Sequence, residues 1–503
     1  MQQVRSLFLT LWVILPTLSA CTPDPAPPVP ATDQVWTAEA SPSADPAASE
    51  TAAAEPTGTG PTGDPSHGSG QAHAPPPERP VYRLAAVLDH AERKLEVALE
   101  IVYPNRTGTD LAELVLIVDA AREAGVFELV DLRLPDGPAP EKWTLADGVL
   151  TIELADPVPA ETAVAVEIDY RLQLPRRPGK LAVFNGQLNL GDWYPMFPEF
   201  RDGEGWLVRP AHVVGETIVY PLADFEVLLE VRNGPGGLVV AAPAPLEHSD
   251  NDYRFTAPGY RNVTLSMSDR YVVDEAMAGE VVVLGYAYRE HEFAAAAALE
   301  AAVRAIEIYS ELFGPYPHER YTIVAGNFPD GLEFDGLTFV SMDYYGWYDG
   351  TIRNYLPLLV VHEAAHQWWY GRVGNDPAME PWLDESLAIY CELLYLELAY
   401  PDEPADWWWI LRMEEFRPLG GNVDDTVYDH GGYRPYVNAI YLRGAELMHA
   451  LRIAMGDEAF FEALRAYAER FDGEVATGEG LIAVFEEYSE EDLGEVWDNY
   501  FGD

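Results

Sequence analysis

The sequence predicts a multidomain α+β protein in which an all-β region precedes a mostly helical one. The chain of 503 residues is too long for one hydrophobic core. Apolar and polar residues alternate in short runs from Val81 to about Val273, and turn residues separate the runs, which is typical of strands. From Ala294 the apolar period becomes helical, interrupted by two short predicted strands, Tyr321–Ala325 and Leu337–Met342.

Residues 1–20 have the pattern of an export signal. Arg5 precedes an apolar run that is too short to cross a bilayer and ends in Leu18-Ser-Ala-Cys21. This ending resembles the bacterial lipobox, whose cysteine becomes the lipidated first residue of the mature chain. We therefore expect a lipoprotein signal peptide and a lipid anchor at Cys21 that holds the protein on a bacterial cell envelope, facing the periplasm or the cell exterior. A plain signal peptide with an incidental cysteine is the alternative.

The segment 21–80 is rich in Pro, Ala, Ser and Thr, and it is acidic, which predicts a disordered tether because it offers too little apolar surface for a core. After it we predict an N-terminal β-domain over 81–275, a catalytic domain over 276–455 and a short C-terminal helical segment over 456–503. The whole chain has 83 acidic and 31 basic residues, a net charge of −52. Such a charge repels phosphate backbones and argues against nucleic acid as a partner.

A metal-binding motif lies in the helical region, at His362-Glu363-Ala-Ala-His366. Histidines four residues apart on a helix differ by about 40° in direction, so both imidazoles can reach one metal ion. Glu363 is placed between them to take a proton from metal-bound water. Glu385 follows His366 after a gap of eighteen residues, in the first turn of a second predicted helix that opens at Trp382 and runs to about Ala399. Its carboxylate completes a His₂Glu set with one open position, which predicts one catalytic zinc ion per chain.

Glu392 lies two turns beyond Glu385 on the second helix, rotated by about 20° from it. A carboxylate there can accept a hydrogen bond from the outer nitrogen of a ligand histidine and fix its tautomer. A glutamate that faces solvent is the alternative, because most helical glutamates lie on the surface.

These motifs resemble those of the gluzincin metallopeptidases of the aminopeptidase N type, peptidase family M1, in a short bacterial lipoprotein form. Asp330-Gly331-Leu-Glu333-Phe stands where the family has G-x-M-E-N, and Tyr441-Leu-Arg-Gly-Ala where it has Y-x-K-G-A. The resemblance implies a saddle-like β-domain followed by a thermolysin-like, mostly helical zinc catalytic domain. It also implies that Gly331 and Glu333 bind substrate, with Glu333 at the amine, and that Tyr441 stabilises the transition state. For Glu333, the alternative is an acid that is merely exposed on an edge strand. From the residues alone, Tyr441 is one of 28 tyrosines and is typical of a tyrosine packed in the core.

The function implied by the resemblance is that of a zinc-dependent metallopeptidase. We expect an aminopeptidase that removes N-terminal residues from peptides with a free N-terminus by attack of a zinc-bound water. Two alternatives remain: a zinc endopeptidase of thermolysin type, and a noncatalytic, envelope-anchored peptide-binding module on the same fold. Glu333 distinguishes the first alternative, because an endopeptidase does not need to bind a free amine.

Overall fold

The computed structural model describes residues 77–401 and 405–502. The predicted signal peptide over 1–20, Cys21 and nearly all of the predicted tether over 21–80 lie outside the described residues. Within the described ranges, no helix has both the length and the apolar character needed to cross a membrane.

The first part of the described chain is built from strands. In chain order they are β1 (Val81–Asp89), β2 (Lys94–Pro104), β3 (Leu111–Ile117), β4 (Phe127–Arg133), β5 (Lys142–Ala146), β6 (Val149–Val158), β7 (Ala163–Gln173), β8 (Leu181–Phe184), β9 (Gln187–Leu190), β10 (Phe200–Arg201), β11 (Gly205–Trp206), β12 (Ala223–Arg232), β13 (Val239–Ala241), β14 (Glu247–Ser249), β15 (Asp252–Tyr260) and β16 (Leu265–Ser268). A seven-stranded sheet has the order β14-β15-β12-β1-β2-β7-β4, and smaller sheets have the orders β3-β6-β5, β13-β16-β9-β8 and β10-β11.

Alternation along these strands produces the first hydrophobic core. In β2, buried and more exposed residues alternate, and Leu99 lies opposite Leu84 of β1 and Ile168 of β7. All three are buried in the same core as Leu114 and Ile152 of the three-stranded sheet. One face of the seven-stranded sheet is therefore apolar and the other charged, as the period-two pattern predicts.

The second part of the chain contains a five-stranded sheet and the helices. Its elements are β17 (Tyr271–Ala278), β18 (Val281–Tyr288), α1 (Glu292–Phe313), β19 (Arg320–Gly326), β20 (Gly331–Phe334), β21 (Leu337–Ser341), α2 (Met342–Trp347), α3 (Tyr355–Ala365), α4 (Trp382–Ala399), α5 (Asp406–Arg412), α6 (Tyr433–Tyr436), a π-helical segment (Val437–Arg443), α7 (Gly444–Met455), α8 (Asp457–Arg470), α9 (Gly478–Tyr488) and α10 (Gly494–Tyr500). The strand order is β17-β18-β19-β21-β20, and α1 connects the parallel strands β18 and β19.

The β-rich first part and the helical second part confirm the predicted fold class. The boundary predicted at 275/276 falls within β17, a strand of the five-stranded sheet. The boundary predicted at 455/456 falls at the end of α7, and α7 and α8 contribute Leu447 and Leu464 to the same core.

Strand β20 forms the edge of the five-stranded sheet. It pairs antiparallel with β21, with Gly331 opposite Val340 and Glu333 opposite Thr338. The sequence predicted strands on either side of this segment and placed Glu333 between them, so the strand assignment at Glu333 was incomplete. Because alternate residues of a strand point to the same face, Gly331 and Glu333 project to one side of the edge.

Candidate active site

Helix α3 presents the two histidines from its C-terminal end. Asn354 caps the helix by accepting a hydrogen bond from the Leu356 N–H at 3.0 Å, and Pro357 lies in the first turn, where its missing N–H costs nothing. The helix ends at Ala365, and His366 is its C-cap residue. The apolar run of the sequence continues beyond the helix to Trp369. The residues after His366 instead form a buried turn, because an apolar run specifies burial and not the backbone that achieves it.

The two imidazoles and Glu385 converge on one point. The Nε2 atoms of His362 and His366 lie 3.2 Å apart, and Glu385 Oε2 lies 3.4 Å and 3.5 Å from them. Ligand atoms about 2.0–2.1 Å from a tetrahedral zinc ion are separated by about 3.3–3.4 Å. Glu385 Oε2 is buried and accepts no hydrogen bond within the described chain. Donor types, spacing and the unpartnered oxygen therefore fit one zinc ion.

Helix α4 delivers Glu385 from its first turn. The helix spans Trp382–Ala399, as predicted, and follows Pro381. Asp384 accepts a hydrogen bond from Asn375 Nδ2 at 2.8 Å, which fixes the start of the helix. Because α4 packs against α3, the glutamate on one helix faces the histidines on the other.

Both histidines have partners for their outer nitrogens. Nδ1 of His366 donates to the Trp369 carbonyl at 3.1 Å, which leaves Nε2 free to bind a metal. Nδ1 of His362 lies 3.5 Å from Glu392 Oε1. Glu392 is only 1% exposed, so it does not face solvent, and it also accepts from Trp408 Nε1 at 2.8 Å and Arg412 Nη2 at 2.6 Å. The Trp369 carbonyl had no signal in the sequence, because the contact depends on the turn that ends α3.

Glu363 lies beside the cluster, against strand β20. A Cβ atom added to Gly331 would lie 1.8 Å from Glu363 Oε1, so only glycine permits this approach. Burial and the nearby Glu333 carboxylate raise the pKa of Glu363 to about 8. Its Oε2 is buried and has no partner among the described residues. Such a carboxylate can accept a proton at neutral pH once a cation lies next to it.

Tyr441 lies in the π-helical segment, in contact with the cluster. Its hydroxyl donates a hydrogen bond to Glu385 Oε1, and its ring lies parallel to that of His362, with centroids 6.0 Å apart. The segment packs closely on α4. Ser386 Oγ donates to the Ile440 carbonyl at 2.7 Å, and a Cβ added to Gly444 would lie 1.9 Å from Ser386 Oγ. Gly444 therefore brings Tyr441 to the cluster, in a local helix type that is frequent at functional sites.

Glu333 extends from β20 into the cavity that contains the cluster. This cavity has a volume of about 460 Å³. Glu333 is half-buried; burial and Glu385 raise its pKa, and the nearby His366 opposes this rise. A second carboxylate, Glu216, enters from the loop between β11 and β12; burial and then Glu333 raise its pKa well above its ordinary value. Sequence analysis missed Glu216, since no spacing relates it to the zinc motif.

A larger depression of about 730 Å³ lies on the charged face of the seven-stranded sheet. It contains no histidine and no member of the metal cluster, and exposed ion pairs such as Arg83–Glu100 line it. We therefore place the candidate active site in the smaller cavity.

The described chain has the fold of solved zinc metallopeptidases, and its His₂Glu cluster could hold one metal ion. Residues 297–500 match the family model described as the Peptidase family M1 domain, so the chain contains a domain of this family. The resemblance inferred from the motifs is confirmed, and the family implies zinc as the metal.

Two curated relatives are aminopeptidases. Aminopeptidase N from Lactococcus lactis subsp. lactis is 27% identical over 229 residues, which cover 40% of this chain and 26% of that protein. Aminopeptidase M1-B from Oryza sativa subsp. japonica is 26% identical over 232 residues, which cover 40% and 25%. The chain thus matches about a quarter of the length of these relatives.

The solved structures cover more of the chain. The M1 zinc metallopeptidase from Deinococcus radiodurans aligns with a TM-score of 0.58 and 19% identity, over 84% of this chain and 93% of that one. A glutamate-to-alanine mutant of that protein bound to a Tyr-Ser-Ala substrate aligns with a TM-score of 0.60 and 20% identity, over 84% and 94%. At these identities the likeness establishes the fold.

Proposed function

We propose that the protein is a zinc-dependent aminopeptidase that removes N-terminal residues from peptides. The observation that carries this proposal is the position of Glu333. It projects from the edge strand to the same side as Gly331, whose backbone lies against Glu363, and it lines the cavity that holds His362, His366 and Glu385. A carboxylate there can bind a substrate ammonium group and set its distance from the metal.

The reaction follows from where the side chains lie. A bound zinc ion would polarise the scissile carbonyl and make water more acidic. Glu363 accepts the proton of the attacking water and transfers it to the leaving amine. The Tyr441 hydroxyl, which lies against Glu385, donates a hydrogen bond to the negative charge that develops on the carbonyl oxygen.

The free amine is held by the pair of carboxylates. An unperturbed α-ammonium group has a pKa of about 7.7–8.0, so it is largely charged at neutral pH. Glu333 and Glu216 enter the cavity from two different regions of the fold. Burial raises the pKa of both carboxyl groups, and the Glu333 carboxylate raises that of Glu216 further. A substrate ammonium supplies a counter-charge. Only the first peptide bond then reaches Glu363, which distinguishes an aminopeptidase from an endopeptidase.

Substitution of Glu333 tests the proposal. We expect Glu333→Ala to lose most activity on free tripeptides, while N-acetylated tripeptides are poor substrates for wild type and variant alike. The matched control is Glu275→Ala, which removes an exposed glutamate from strand β17 of the same sheet. Efficient internal cleavage of acetylated peptides by the wild type would support an endopeptidase instead. Peptide binding with no hydrolysis by the zinc-loaded protein would support a noncatalytic binding module.

We also propose that Cys21 carries a lipid anchor that holds the enzyme on a bacterial cell envelope, facing the periplasm or the exterior. The Leu18-Ser-Ala-Cys21 sequence after an apolar run supports this. Cys21→Ser is expected to move the protein out of the membrane fraction or to block processing. A native protein that is recovered in the soluble fraction with an unmodified Cys21 would contradict the proposal.

A further inference from the structure

Among the described residues, two arginines line the active-site cavity, and they differ in their partners. Arg412 is neutralised, since its Nη2 donates to Glu392 Oε1 at 2.6 Å. Arg434 is exposed and forms no ion pair with any described residue. Its guanidinium lies over the Phe416 ring, 4.1 Å from the centroid, which orients the group without neutralising its charge.

The position of Arg434 is tied to the strand that carries Glu333. The neighbouring Tyr433 donates a hydrogen bond from its hydroxyl to Asp330 Oδ2 at 3.3 Å, and Tyr344 donates to Asp330 Oδ1 at 2.9 Å. Asp330 directly precedes β20. Helix α6, which carries Arg434, is thereby hydrogen-bonded to the residue that precedes the edge strand. This link helps to fix the position of the helix that carries Arg434 relative to the strand that carries Glu333.

We propose that Arg434 binds a carboxylate group of the substrate, and that this group is the C-terminal α-carboxylate of a short free peptide. The inference rests on the proposed function, which places the substrate ammonium at Glu333. With Arg434 as a second contact, the cavity carries negative charge for one end of a zwitterionic peptide and positive charge for the other. A guanidinium matches a carboxylate in geometry as well as charge, because it can donate two parallel hydrogen bonds.

The size of the cavity favours a short substrate. A volume of about 460 Å³ lies within the roughly 300–1,000 Å³ range of small-ligand sites. In a short peptide the α-carboxylate is always present and lies within a few residues of the ammonium group. An Asp or Glu side chain offers the same chemistry but occurs only in some sequences.

The expected effect is on substrate binding and not on the chemical step. Arg434 would contact the carboxylate in the ground state and in the transition state alike, so its loss should raise KM and leave kcat nearly unchanged. A charge-assisted hydrogen bond changes affinity by about tenfold or more. Because Arg434 is exposed, we expect its loss to weaken substrate binding by an amount at the lower end of this range, about tenfold.

The test compares Ala-Ala-Ala with its C-terminal amide as substrates of the zinc-loaded protein. Wild type should have a kcat/KM about tenfold higher for the acid, and Arg434→Gln should hydrolyse both at the rate of the amide. The matched control, Arg289→Gln, removes an exposed arginine that lies outside the cavity and should keep the wild-type preference. A preference for the acid that persists in Arg434→Gln would overturn the proposal.

Two further arms separate the remaining outcomes. In the first arm, the C-terminal amides of Ala-Glu-Ala and Ala-Ala-Ala are compared. Suppose that the wild type shows no preference for acids over amides but prefers the Ala-Glu-Ala amide, and that Arg434→Gln loses this preference. Arg434 then binds a side-chain carboxylate, and the α-carboxylate assignment is wrong. Calorimetric binding of the acid and the amide to the zinc-loaded Glu363→Gln variant requires no turnover. An acid preference there that depends on Arg434 supports the inference even if the aminopeptidase proposal fails, and its absence overturns it.

Discussion

Replacing Gly331 with alanine perturbs the position of Glu363 without removing any functional group. The added Cβ would lie 1.8 Å from Glu363 Oε1 and 2.3 Å from Cδ, whereas ordinary contacts begin at 3.4 Å. The carboxylate or the strand must therefore move by about 1.6 Å, the difference between 3.4 Å and 1.8 Å. A displacement of about 1 Å of a reacting group can cost about 10²-fold in rate, or roughly 2.7 kcal/mol in the barrier.

The assay for Gly331→Ala is the kcat for a free tripeptide, measured together with zinc content and melting temperature. We expect kcat to fall by about 10²-fold, with zinc content unchanged because His362, His366 and Glu385 remain in place. Gly236→Ala is the matched control, since a Cβ added to Gly236 meets no atom within 4 Å. Turnover of Gly331→Ala at the wild-type rate would refute the reasoning that this close approach positions Glu363.

Three further predictions concern individual side chains. Glu363→Gln should retain zinc but be almost inactive, which zinc analysis and steady-state kinetics check; substantial residual activity would exclude Glu363 as the general base. Tyr441→Phe should lower kcat far more than it changes KM, by about 10²–10³-fold, as for the loss of one transition-state hydrogen-bond donor; unchanged turnover would remove the hydroxyl from the mechanism. Glu392→Gln should weaken zinc binding by about 10–100-fold, as measured by competition with a chelator. It should also lower the melting temperature, because Arg412 loses its carboxylate partner; unaltered zinc affinity would contradict a role for Glu392 in orienting His362.

The sequence predicted the parts of the site that are local in the chain. The histidine pair and the bounds of α4 depend on residues a few positions apart, and helical geometry decides how these are arranged. The end of α3 has no such local signal, because Trp368 and Trp369 continue the apolar run but are buried in a turn and not in the helix. For Glu392, the sequence left two alternatives open, and its 1% exposure in contact with Trp408 excludes the solvent-facing one.

The parts of the site that depend on tertiary contacts had no local pattern. Glu216 belongs to a loop of the β-rich region, and only the packing of this region against the helices brings it towards Glu333. Arg434 lies in a four-residue helix that is held by tertiary contacts, among them the Tyr433–Asp330 hydrogen bond and the burial of Tyr436 in the core. Gly331 was identified through the family motif, while the physical reason for glycine, its approach to Glu363, is visible only in the structure.

The most direct test of the proposed function measures zinc content and substrate choice on the same preparation. We expect one zinc ion per chain, which is lost when His362 and His366 are both replaced by alanine. We also expect hydrolysis of Ala-Ala-Ala from its N-terminus and little hydrolysis of N-acetyl-Ala-Ala-Ala. Stoichiometric zinc that survives the loss of both histidines, or cleavage of the acetylated peptide as fast as the free one, would contradict a zinc aminopeptidase at this site.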